Sequence, residues 1–353
     1  MQNYTVIIPK ETQERAKNYW NLIKGNWNEA GGYVQKVLQN ITSEEHSFED
    51  FLEILFQTKQ PQIFAESAIH GNGKDWNLTE LGILGDISVA VPVTIFDNGQ
   101  HRNPLVHTKP FEGVLLYTPG ALLRNDVGNE PADWAAVTTE DRLDYKKYYD
   151  LYERRLLPLF IYANKEALKV HKKAFITIPG LGCGMFAGRF QGKLCVLLKQ
   201  VLVDLLEKHG AQFPNIQAVY YDPYQECKNE RLEIQAISLM IRPLTQGNKG
   251  KSQLAQLSTF EEASDDFSNG LLFSVVAWDH VSWPGNDFYV NSRATDDGVK
   301  AAATSSMFAM TGIEGTYNKE SYTYQPPAPY QNWNQVIYKN HLDLRLKENL
   351  LVL

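Results

Sequence analysis

The sequence predicts an α/β layered fold with a partly parallel sheet, on two observations. From about residue 83 onward, short apolar runs of strand character alternate with amphipathic helical stretches, the pattern of strand–helix–strand units. Two of these strands open into loops rich in the residues that build ligand sites: glycines after Ala174 to Ile178, and carboxylates after Leu271 to Trp278.

The front of the chain reads as helical. Glu11 to Lys24, Glu29 to Ile41 and Phe48 to Phe56 carry apolar residues at helical spacing. Thr42 and Ser47 are candidate caps. From Ile83 the pattern changes: Ile87 to Phe96 and Gly113 to Thr118 read as strands, the second ended by a Pro119-Gly120 turn. Thr139 to Lys169 reads as a long charged and aromatic helix with a break near Pro158. Next come a strand at Ala174 to Ile178, a loop over Pro179 to Gly188 and an amphipathic helix from Leu194 to His209. Strands at Ala218 to Tyr221 and Ala236 to Ile241 follow, then a helix over Leu254 to Ala263 and a last strand, Leu271 to Trp278. A small-residue helix is expected from about Gly298 to Met310. From Tyr322 the tail is aromatic, and Pro326, Pro327 and Pro329 impose extended backbone. These boundaries suggest a helical cap over residues 1–80, a core over 81–321 and an extension over 322–353 packed on that core.

Composition narrows the function classes. The 43% hydrophobic content of the 353 residues is enough for a substantial core. No run approaches the roughly 18 apolar residues of a membrane span, so no membrane partner is expected. The first ten residues lack a basic start and a long apolar core, which argues against a conventional secretory signal. Cys183, Cys195 and Cys227 make neither a disulfide framework nor a zinc spacing. The chain therefore reads as cytoplasmic, or as an effector delivered into a host cell by a machine that reads another signal. A net charge of −7 argues against a nucleic-acid partner, which demands a basic face.

The loop Pro179-Gly180-Leu181-Gly182-Cys183-Gly184-Met185-Phe186-Ala187-Gly188 follows a strand and precedes a helix. Its glycines allow close approach of backbone to a ligand, and its amides can donate to phosphate oxygens. No Gly-Lys-Ser/Thr ending is present, which excludes a P-loop. From Gly182 the loop meets a loose dinucleotide pattern, but the acidic residue at the required distance, Asp204, falls inside the expected helix. The bland reading is a tight strand-to-helix connection.

Asp279 follows the last strand, at the sheet edge where ligands bind in open α/β folds. Asp287 and Asp297 follow within nineteen residues. Each has a bland alternative: Asp287 in an Asx-turn, Asp296 and Asp297 as helix caps, Asp279 paired with Arg293. Together they point to a site, since convergent carboxylates place acid, base and cation-stabilising groups around one bond. His280 reads as a packed or solvated neighbour, and Trp278 and Trp283 as core or pocket wall. No further ligand set accompanies the carboxylates, so neither a metal nor a cofactor is expected. No nucleophile elbow, zinc-protease motif or kinase signature appears.

The strand with its Gly-Leu-Gly-Cys-Gly-Met-Phe-Ala-Gly loop resembles the phosphate-binding loop of macrodomains. The Trp-Pro-Gly-Asn-Asp and Arg-Ala-Thr-Asp-Asp-Gly-Val motifs resemble those of an atypical branch of macrodomain ADP-ribosyl hydrolases. The resemblance covers roughly residues 85 to 312. It implies a macrodomain-like three-layer α/β/α sandwich with a mixed sheet, here with an added N-terminal helical region. It further implies that Asp279, Asp287 and Asp297 are catalytic. ADP-ribose would be held by Gly180, Gly182, Cys183, Gly184, Met185, Phe186 and Gly188, with Trp283, Asn286 and Asp296. The partners implied are ADP-ribose and a protein ADP-ribosylated on arginine, such as ubiquitin. One departure stands out. Gly85-Asp86-Ile87 matches the ordinary family's adenine-contact motif, but Val91 to Phe96 lacks the asparagines that follow it there. Two other readings remain: a module that reads ADP-ribose without cleaving it, and a hydrolase of another nucleotide or glycoside.

Overall fold

The computed structural model describes residues 2–39, 46–61 and 69–353. Nine strands form one mixed sheet: β1 (Thr5–Ile8), β2 (Ser88–Asp97), β3 (Val106–Pro119), β4 (Lys173–Pro179), β5 (Ile216–Asp222), β6 (Glu230–Ile234), β7 (Ile237–Ile241), β8 (Gly270–Trp278) and β9 (Leu350–Val352). Their spatial order is β9-β1-β2-β3-β8-β4-β5-β7-β6. The five strands β3, β8, β4, β5 and β7 are parallel. Their carboxyl ends therefore share one edge, and the loops that leave Pro119, Pro179, Asp222, Ile241 and Trp278 meet there. That edge is where an open α/β sheet binds ligands.

Helices cover both faces because the strand residues are apolar on both sides. On one face lie the helices Lys10–Ile23, Gly32–Gln39, Phe48–Gln57, Leu78–Gly85 and Trp333–Asn340, around a core that includes Leu115, Phe175 and Val276. On the other lie Tyr145–Lys169 and Leu194–His209, packed on Leu116, Ile176 and Val275. This is the three-layer α/β/α sandwich with a mixed sheet that the sequence suggested. Ser47 caps its helix through a reciprocal box with Asp50. Ile41 and Thr42 lie outside the described residues.

Three local expectations need correction. The helix Tyr145–Lys169 runs through Pro158 without ending. Buried residues on both sides of the proline, Tyr148, Leu151 and Tyr152 before it and Leu159, Phe160 and Ala163 after it, hold it on the sheet against the lost hydrogen bond. No helix spans 254–263; a single turn, Leu257–Thr259, interrupts extended chain. There Leu254 and Phe260 are buried one by one, Phe260 against Phe175 and Tyr220. The helix expected from Gly298 to Met310 is two: Asp296–Ala302 and Ser306–Thr311. Between them the backbone turns to pair with β2, Phe96 N donating to Ala303 O and Ser305 N to Thr94 O. Three strands of the main sheet, β1, β6 and β9, were not anticipated, and through β1 and β9 both ends of the chain enter that sheet.

Candidate functional site

The segment after β8 folds back on itself and gathers the three aspartates. Asp279 is buried and pinned by four donors. Its Oδ1 accepts the amides of Val281 (2.8 Å) and Ser282 (2.7 Å), and its Oδ2 accepts Ser282 Oγ (2.5 Å) and Asn286 Nδ2 (3.0 Å). Gly285, with φ +87°, lets the chain reverse into a short turn over Asn286–Val290. Asn286 then links two of the acids, since its Oδ1 also accepts the Asp287 amide at 2.5 Å.

Asp287 is fully buried, with Oδ2 accepting the Thr295 amide at 2.8 Å and Oδ1 without a partner among the described residues. Burial pushes its carboxyl above the ordinary range. Thr295 caps the helix Asp296–Ala302, and Asp297 sits in its first turn. Neither oxygen of Asp297 closes a hydrogen bond among the described residues. Burial, then the charges of Asp287 and Asp279, push its carboxyl well up, and the amides of Gly285 and Asn286 offset only part of this. Tyr117, on β3, is buried with its hydroxyl likewise unpartnered among the described residues. Burial raises its phenol, and the nearby charge of Asp297 adds to the effect. The three carboxylates thus differ in environment: one saturated with donors, one half satisfied, and one whose oxygens close no hydrogen bond among the described residues. Unequal environments of this kind separate acid from base.

The pairing of Asp279 with Arg293 is not found. Arg293 bonds instead to Asp97 and to the carbonyl of Gln100. Trp283 is a core residue, its indole donating to Lys59 O (3.0 Å) and its ring edge-on to Tyr289. Behind it, Lys59 Nζ donates to His280 O (2.5 Å) and lies 4.0 Å from the Trp278 ring centroid. His280, as expected of a packed neighbour, contacts Asp133 at 3.0 Å.

The glycine loop divides by role. A Cβ on Gly182 (φ +71°) would lie 2.6 Å from Tyr152 Oη and 2.8 Å from Ala121 N, so no side chain fits at this position. Gly180 has the Cys195 sulfur against it, and Gly188 has Leu123 O. Gly184 faces open space. Met185 is 61% exposed and Phe186 half-buried. Gly180, Cys183 and Gly184 line a cleft of about 830 Å³ together with Asp222, Tyr224, Gln253, Asp296 and Lys300, while Asp279, Asp287 and Asp297 do not. The helix start therefore separates two compartments. Asp296 looks into the cleft, bonded to His101 at 3.1 Å, and Asp297 looks into the acidic cluster.

Asp86 is not free to contact adenine. It is buried and surrounded by Thr12 and the guanidiniums of Arg15, Arg154 and Arg155. Burial would raise its carboxyl, but the three arginines, Arg155 first, hold it below the ordinary range. Arg155 continues the network to Asp133 (2.7 Å), whose Oδ2 accepts the Leu122 amide and contacts His280. Asp204 is a helix residue bonded to Tyr145 Oη. Sequence reasoning missed Tyr117, Asp133, Arg155 and Lys300. Only Lys300 carried a signal, as the one cation in a run of small residues one helical turn after Asp296.

A family model described as macrodomain effector MavL matches residues 4–330, nearly the whole chain. No curated protein matches it. The chain belongs to the macrodomain effector MavL family.

Proposed function

We propose that the protein is an ADP-ribosyl hydrolase, which binds ADP-ribose and cleaves its link to a modified protein side chain. The observation that carries this reading is the convergence of Asp279, Asp287 and Asp297 at the end of β8, beside the glycine loop that ends β4. In this reading the 830 Å³ cleft takes the adenosine and diphosphate, and the distal ribose extends toward the acids. The amides of the loop, Gly184 foremost, face the diphosphate, and Phe186 packs on a ribose.

Cleavage at the anomeric carbon passes through an oxocarbenium-like state. Asp279, immobilised by its donors, supplies fixed negative charge to that state. Asp297, whose surroundings favour the protonated form, gives its proton to the leaving nitrogen. Asp287 receives a proton from the attacking water. The modified residue in this reading is arginine, whose fork matches a carboxylate, on a protein such as ubiquitin. The family's effector description supports action inside a host cell. Among the described residues no helix is long and apolar enough to cross a membrane.

A non-catalytic reader is the rival, favoured by one observation: Asp279 spends all its acceptors on its own loop. Calorimetric titration with ADP-ribose, with AMP and NAD as controls, tests binding, and release of ADP-ribose from an arginine-modified protein tests cleavage. Asp287→Asn is expected to keep affinity and lose cleavage. Wild type that binds ADP-ribose but cleaves nothing would make it a reader. No binding at millimolar ADP-ribose would overturn both.

A further inference from the structure

Lys300 is a cation that the mechanism above leaves unused. It lies on the helix Asp296–Ala302, lines the cleft and is 4% exposed. No hydrogen bond or ion pair among the described residues holds its ammonium. Asp296, one turn earlier on the same face, engages His101 instead. Asp222, also in the cleft wall, spends Oδ1 on the amides of Tyr224 and Leu244. Burial pulls the Lys300 ammonium below its ordinary pKa, and the carboxylates of Asp296 and Asp222 offset part of that. Burying a charge without a partner is costly, and folds keep such groups where a ligand supplies the partner.

We infer that Lys300 is the residue that recognises a diphosphate in this cleft, so that the site selects diphosphate ligands over nucleosides and monophosphates. The ligand's identity rests on the ADP-ribose reading; the charge it must carry does not. Backbone amides of the glycine loop donate hydrogen bonds but bring no net charge. The cleft walls also hold Asp222, Glu226 and Asp296, which repel a dianion. Arg102 and Lys249, the other Lys and Arg side chains lining the cleft, are exposed and screened by solvent. Lys300 alone among them is buried, so its ammonium, a point charge with three donors, is screened less than theirs when it meets phosphate oxygens.

The test is calorimetry of wild type, Lys300→Met and Lys300→Arg with ADP-ribose, ADP, AMP and adenosine, each variant checked by thermal melting. Lys300→Met is expected to weaken ADP-ribose and ADP by about 10- to 100-fold, the size of one charged hydrogen bond. AMP should lose less and adenosine nothing, and Lys300→Arg should recover part of the loss. Unchanged ADP-ribose affinity in Lys300→Met overturns the inference and leaves the ADP-ribose reading standing. Wild type that binds ADP through Lys300 but not ADP-ribose overturns that reading and keeps the inference. Binding of neither overturns both. If Lys300→Met does not fold, ¹⁵N-lysine NMR of wild type decides: the Lys300 Nζ signal, assigned with Lys300→Arg, must move on titration with inorganic pyrophosphate. A signal that stays put overturns the inference.

Discussion

Gly298 makes room for Asp287: a Cβ placed on Gly298 would lie 1.5 Å from Asp287 Oδ1. The carboxylate occupies the space that any side chain at 298 would fill. Gly298→Ala must therefore displace Asp287 or the helix start. Hydrolysis is expected to fall about 100-fold, the cost of a misplacement near 1 Å. Stability should drop by about 1–3 kcal/mol from overpacking, with ADP-ribose affinity changed far less. Paired hydrolysis and calorimetric assays check this, and full activity in the variant would disprove the placement.

Asp297 gives a pH signature. Its folded carboxyl titrates above the ordinary value of 3.8, so between that value and its folded pKa the native state holds a proton that the unfolded chain has released. Stability then rises as pH falls through this window, by up to about 1.4 kcal/mol per pH unit for one group. Asp287, raised by burial, contributes in the same direction. Asp297→Asn should remove its share of this dependence, leave stability at pH 8 equal or higher, and abolish hydrolysis. Urea denaturation at pH 5 and pH 8 reads it, and an unchanged difference between the two would count against the shift.

Lys59 behaves oppositely. Burial lowers its ammonium to about 7, with the Asp279 charge offsetting part. The unfolded lysine keeps its proton up to about 10.5, so between these values the unfolded state binds more protons and wild-type stability should rise with pH. Lys59→Met is expected to be more stable than wild type at pH 7 and to lack that rise up to pH 9. Denaturation midpoints at the two pH values distinguish the outcomes.

Arg155 holds two buried carboxylates, Asp86 and Asp133. Arg155→Met leaves both with less compensation, a loss of about 3–5 kcal/mol in denaturant unfolding. Because Asp133 also fixes Leu122 and His280, the variant should lose hydrolysis beyond what its melting point explains.

The parallel core was legible because β4, β5, β7, β8 and the second half of β3, from Gly113, are near-continuous apolar runs. Thr5–Ile8 and Leu350–Val352 escaped because three or four residues carry no period, and the partners of Thr5–Ile8, β2 and Leu350–Val352, are distant in sequence. Residues 254–263 misled because Leu254 is buried beside Gly99 and Phe260 against Phe175 and Tyr220, so apolar spacing there records packing and not a helix. At the site, Asp279, Asp287 and Asp297 were visible through type and spacing. Their unequal environments were not, since Asn286, Thr295 and Gly298 act through the fold. Gly182 drew notice as a glycine of the loop; that a side chain there would strike Tyr152 and Ala121 was not readable, because both approach it from elsewhere in the chain. Asp86 looked like an adenine contact because its arginine partners lie at positions 15, 154 and 155, scattered through the sequence.

The helix that begins at Asp296 turns one face to the cleft and the other to the acids, with neighbouring residues on opposite sides. Successive helical positions are rotated by about 100°. Inserting or deleting one residue between Thr295 and Asp297 would swing both faces at once, taking Lys300 from the cleft and Asp297 from its cluster. Substitutions can drift here one at a time, but the length of this segment is locked, because two compartments share a single angular register.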